Sequence, residues 1–136
     1  MLVRVELTLP RDSSFVTVMR NMANSLLVDL RVPEEAIGDV QVAVSEACAN
    51  VVRHAEGTFD YSVSLAIGPD GCEIEVADLG PGFESVPASG ADVDAEDGRG
   101  LLLMRALVDD LQFIRDDATT RVRLIKRWNA IPQFAP

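Results

Sequence analysis

With 136 residues, 48% of them hydrophobic and 25% charged, the chain has the size and composition of one globular domain, which sets aside a disordered chain and a helical membrane protein. Twenty-two acidic residues against twelve basic ones give a formal charge of −10, so phosphate backbones are repelled; the expected partners are proteins or small molecules, with no direct nucleic acid and no membrane. The opening residues alternate instead of forming a secretory pattern, and Cys48 and Cys72 form no C-x-x-C pair, so the expected compartment is cytoplasmic, without a disulfide scaffold or zinc site.

Residues 2–9 (LVRVELTL) alternate with period two and predict a strand closed by Pro10. A first helix follows, capped by Asp12, Ser13 or Ser14, with Phe15, Val18, Met19, Met22, Leu26, Leu27 and Leu30 as its apolar stripe and Arg20 and Asn24 outward. Pro33 opens a second helix running to about His54, with Glu34 and Glu35 at its positive end and a stripe of Ile37, Val40, Val44, Ala47 and Val51. Residues 59–67 and 72–77 alternate around Gly68-Pro69-Asp70-Gly71, the pattern of an antiparallel hairpin.

Residues 79–97 are rich in Gly, Pro, Ser, Ala and Asp without periodicity, which suggests a functional lid. A third helix is expected over 101–108, just after Gly98-Arg99-Gly100, and a last hairpin over 111–115 and 119–127. The order β-α-α-β-β-lid-α-β-β predicts an α+β two-layer sandwich, a mixed, mostly antiparallel sheet with three helices on one face. Residues 1–127 make the single domain, and 128–136 a loose tail.

Three segments carry chemistry. In the second helix Glu46 and Asn50 are one turn apart and share a face; an amide oxygen is a hard ligand suited to Mg²⁺, and a carboxylate can take a proton from a hydroxyl. Asp78 ends a strand in Asp78-Leu79-Gly80-Pro81-Gly82, where a carboxylate can accept from the N6 amine of adenine, an atom that guanine replaces by an acceptor. Gly98-Arg99-Gly100 comes before a helix without the spacing of a Walker loop, and its backbone amides can approach phosphate oxygens. A solvated helix face, an ordinary loop turn and a connector are the bland accounts of the same three segments taken singly.

Together, and in this order, the segments resemble the nucleotide site of the histidine-kinase-like ATPases, the superfamily of gyrase and the Hsp90 chaperones, over residues 10–126. More narrowly, Val44-Ser45-Glu46-Ala47 with Asn50 and His54, Asp78-x-Gly-x-Gly, and Gly98-x-Gly-Leu101 look like the anti-sigma factor serine kinases. The resemblance implies ATP and Mg²⁺ as cofactors, Glu46 as base toward a serine or threonine, Asn50 as metal ligand and Asp78 as reader of adenine. It further implies that Gly80, Gly82, Gly98, Gly100 and Leu101 line the phosphate and lid region, that Thr119 lies near the adenine, and that Arg20 meets a partner. The implied partners are a sigma factor of RNA polymerase and a STAS-type anti-sigma factor antagonist, bound by a homodimer. Ala118 stands where the family usually has glycine, and the segment with Asp92, Asp94, Glu96 and Asp97 is acidic where some relatives carry an arginine. The alternative reading is a nucleotide-dependent protein-binding module of the same fold that phosphorylates nothing.

Overall fold

A computed structural model of the chain describes residues 2–54, 60–78, 95–115 and 120–131. The elements are β1 (Val3–Leu9), α1 (Ser13–Asp29), α2 (Glu34–His54), β2 (Tyr61–Gly68), β3 (Gly71–Asp78), α3 (Ala95–Leu107), β4 (Asp110–Arg115) and β5 (Thr120–Arg127). The strands form one sheet in the order β1-β2-β3-β5-β4, and every pairing between the described strands is antiparallel. The two-layer sandwich expected from the element order is the architecture found.

Period-two alternation explains the sheet. Tyr61, Val63, Leu65 and Ile67 of β2 are buried along with Cys72, Ile74 and Val76 of β3 and Val122 and Leu124 of β5. Each large apolar side chain contributes about 1.5–3 kcal/mol by leaving water. The opposite face carries charged pairs between β3 and β5, Arg123 to Glu73 at 2.8 Å and Arg121 to Glu75 at 3.6 Å.

Asp12 caps α1 by accepting from the Ser14 amide at 2.9 Å, as one of the three capping candidates should. The helix buries Met19, Ala23 and Leu27, but Val18 is 46% exposed: the apolar stripe read from the sequence is wider than the face that docks. Arg31 ends it at φ 61, with its amide bonded to the Val28 carbonyl and that of Val32 to Leu27, both at 3.0 Å, the double bond of a Schellman stop. Every stripe residue expected in α2 is buried, and α1 and α3 pack along its two sides. Lys126 of β5 ties the layers by donating to Asp39 of α2 at 2.9 Å and to the Leu107 carbonyl at 2.8 Å.

Two expectations are corrected. The chain beyond 127 is not loose throughout: the Trp128 indole donates to the Pro69 carbonyl at 3.1 Å, the Ile131 amide to the same carbonyl at 3.0 Å, and Ile131 is buried. These bonds pin the segment to the β2–β3 turn. Helix α3 starts at Ala95, so Gly98-Arg99-Gly100 lies inside it and not ahead of it. Glycine costs a helix interior only about 1 kcal/mol, which packing against a neighbouring helix outweighs. The expected lid falls partly in α3; residues 79–94 lie outside the described residues.

Candidate functional site

The antiparallel register brings chain ends together. Leu9 pairs with Tyr61 and Tyr61 with Asp78, so the last residues of β1 and β3 flank the first residue of β2. Asp78, a charged residue, is only 2% exposed. Arg11, just past the strand breaker Pro10, reaches over β2 and donates from Nη2 to Asp78 Oδ1. Sequence reasoning missed Arg11, because only the register shows that a residue after β1 lies level with the end of β3.

Tyr61, fully buried between these two strand ends, faces the Cys48 thiol of α2. Its hydroxyl makes no hydrogen bond of ordinary geometry, so the thiol is a packing neighbour more than a partner. Burial pushes the Cys48 thiol up to about 12, against a smaller downward pull from Tyr61. It raises the Tyr61 phenol as well, with the nearby Cys48 adding to the rise. Both are neutral near pH 7, so Cys48, although it sits within the Glu46–Asn50 stretch, is no thiolate nucleophile. Its contact with Tyr61 matters for position: it joins the part of α2 that carries Glu46 and Asn50 to the sheet end that carries Asp78.

Glu46 and Asn50 are both half-buried, one turn apart on α2. The inner face of α3 lies directly on Glu46. A Cβ added at Gly100 would stand 2.8 Å from Glu46 Oε2 and 3.5 Å from Arg53 Nη2, so only glycine leaves the carboxylate where it is. Leu101 beside it is buried and Met104 packs one turn on. Because α3 begins at Ala95, the free amides of its first turn precede Gly98, and the Gly100 amide belongs to the hydrogen-bonded body.

The structure therefore brings together Glu46, Asn50, Gly100 and Leu101 on one side and Asp78 with Arg11 on the other, with Cys48 and Tyr61 as the bridge. Arg20 is exposed on α1, away from the buried face of Met19, Ala23 and Leu27. Gly80, Gly82 and Thr119 lie outside the described residues, as does the Ala118 departure. Among the described residues no cluster of three His, Cys, Asp or Glu side chains is arranged to hold a metal ion, and no helix is long and apolar enough to cross a membrane.

The family described as the histidine kinase-like ATPase domain matches residues 9–126. The chain belongs to that family. Membership implies use of a nucleotide.

Among curated relatives, a serine-protein kinase RsbW of Bacillus velezensis is 28% identical over an alignment of 138 residues, gaps included, that covers 92% of this chain and 86% of the relative. One from Bacillus cereus is 28% identical over an alignment of 129 residues, gaps included, covering 86% of this chain and 81% of the relative. These names agree with the serine-kinase resemblance carried by the motifs. Among solved structures, the RsbU and RsbW domains of a Mycobacterium tuberculosis protein superpose with a TM-score of 0.70 at 20% identity, covering 92% of this chain and 32% of that one. The chain thus spans about a third of that longer protein. The SiaB-SiaC complex of Pseudomonas aeruginosa gives a TM-score of 0.66 at 13% identity, covering 89% and 88%. At such identities the two structures show a shared fold.

Proposed function

We propose that this histidine kinase-like ATPase domain is a protein serine/threonine kinase acting as an anti-sigma factor, which phosphorylates an anti-sigma factor antagonist and, as a homodimer, sequesters a sigma factor. The observation that carries the reading is that Tyr61, paired in the sheet with the buried Asp78, lies in the same buried core cluster as Cys48 of the helix that carries Glu46 and Asn50. The 28% identity to serine-protein kinases over most of the chain supports it.

When bound, Mg²⁺ and ATP supply charge neutralisation and the phosphoryl group. Asn50 Oδ1 would hold the metal together with phosphate oxygens, an arrangement that needs no carboxylate cluster. Asp78 accepts from the adenine amine, while Gly80, Gly82, Gly98, Gly100, Leu101 and Thr119 border the phosphates and the base. Glu46 takes the proton of the substrate hydroxyl as the serine oxygen bonds to the γ-phosphorus and the bond to the bridging oxygen of ADP breaks. Positioning and electrostatics supply most of the rate. Exposed on α1, Arg20 offers a guanidinium to the acidic groups of a partner protein.

One observation favours a second reading, a nucleotide-dependent binding module without transfer: α3 covers the Glu46 carboxylate through Gly100. Incubating the protein with Mg·ATP and a purified candidate antagonist separates the two. The kinase reading expects phosphoserine or phosphothreonine on the antagonist, with Glu46→Gln lowering the rate by about 10²–10⁴. ATP affinity should stay nearly constant in that variant. ATP binding without any phosphorylated antagonist would leave the module.

A further inference from the structure

Asp78 has a companion that the proposed chemistry above does not use. The Arg11 side chain is 6% exposed and that of Asp78 3%. Only Nη2 of the guanidinium is engaged, on Asp78 Oδ1, while Nε and Nη1 are buried without a hydrogen-bond partner. A guanidinium carries five N–H donors in a rigid planar fork, and buried donors left unpaired are costly. If Arg11 served only to neutralise Asp78, a forked contact would engage more of them. The unpaired donors belong to the same guanidinium that engages Asp78, the carboxylate proposed above to accept from the adenine amine.

Adenine has complementary chemistry. Its N6 amine, a donor, is flanked by ring-nitrogen acceptors on both edges, N1 on one and N7 on the other. A carboxylate next to a guanidinium offers the matching acceptor and donor whichever edge faces it.

We propose that Arg11 is a base-reading residue that works as one unit with Asp78, donating an unpaired N–H to the purine ring nitrogen beside the amine that Asp78 accepts. The inference rests on the nucleotide reading above and adds a specificity determinant to it. A charge-assisted hydrogen bond of this kind changes affinity by about tenfold or more.

The test is calorimetric titration with ATP, 1-deaza-ATP and 7-deaza-ATP, each with Mg²⁺, of the unaltered chain, Arg11→Met and Arg11→Lys. The unaltered chain should bind ATP about tenfold or more tightly than one of the two analogues. Both variants should lose that discrimination, the lysine because a point-charge ammonium has no fork to serve carboxylate and base at once. A structural role alone would weaken all three ligands equally and would overturn the proposal. So would equal binding of all three by the unaltered chain, or variants that bind ATP as tightly as it does. Should circular dichroism show Arg11→Met unfolded, Arg11→Lys, which keeps the cation beside Asp78, decides by the same criterion. Absence of saturable heat from the unaltered chain with any of the ligands would overturn the nucleotide reading itself, and this inference with it.

Discussion

Helices α2 and α3 lie side by side yet are built differently. α2 runs 21 residues and buries Ala36, Ile37, Val40, Ala43, Val44, Ala47, Cys48 and Val51. α3 runs 13 residues, holds Gly98 and Gly100, and buries Leu101 and Met104 while Leu102 is 65% and Leu103 41% exposed. The long helix is a platform fixed by the sheet beneath it, and it carries Glu46 and Asn50. The short one is a thin cover whose glycine lets it touch Glu46. A site that has to admit a ligand needs both: reacting groups held rigidly, and a neighbour weakly enough docked to shift.

The largest expected effect breaks this comparison with one kind of substitution. Val44→Asp places a charge in a fully buried part of α2 and should prevent folding, whereas Leu102→Asp on exposed α3 surface should shift stability by about 0.5 kcal/mol or less. Thermal melts followed by circular dichroism check both. If Leu102→Asp also unfolds the chain, α3 is as deeply docked as α2.

A second pair sharpens it. Gly38 of α2 has open space around the position of a Cβ, so Gly38→Ala should stabilise by about 0.5–1 kcal/mol without changing activity. Gly100→Ala gains similar helix propensity but drives a methyl into the Glu46 carboxylate. Its phosphotransfer rate should fall by about tenfold or more, because displacement of a base by even an ångström is severe. Denaturant midpoints and initial rates on both variants measure the contrast.

The fold was legible where one period dominated. The stripe of α2 and the alternating strands named their own buried faces, and Gly68-Pro69-Asp70-Gly71 named the turn that pairs Gly68 with Gly71. The start of α3 is not legible because Gly98 and Gly100 look like breakers in isolation, and the residues that meet Gly100, Glu46 and Arg53, belong to α2, far away in sequence. The segment beyond Arg127 looked loose because its bonds go to Pro69 and Asp70, a partnership that only β5 alongside β3 creates. For the site, Glu46, Asn50 and Asp78 were visible as residue types at telling positions. Arg11 was not: its contact with Asp78 depends on strand register, and a basic residue after a proline has no pattern of its own.

A smaller effect concerns the platform alone. Burial raises the Cys48 thiol of α2 and the Cys72 thiol of β3 to about 12 each, the latter against a weaker pull from Lys126. Each group is protonated more tightly in the folded chain than in the unfolded one. Its stabilising contribution is therefore complete below the unfolded thiol value of about 8.5 and is lost as pH rises toward 12. Urea unfolding should show stability declining above pH about 9, and Cys72→Ala should flatten the decline even at some cost in packing. An unchanged slope in that variant would mean another group controls the alkaline limb.

The central claim is that Asp78 is the heart of a nucleotide site, and calorimetric titration of the chain and its Asp78→Asn variant with Mg·ATP tests it most directly. The account expects one saturable site in the unaltered chain and a loss of affinity of about tenfold or more in the variant, whose neutral amide is a weaker acceptor for the adenine amine and for Arg11. No saturable heat in the unaltered chain, or equal affinity in a variant shown to be folded, would contradict it.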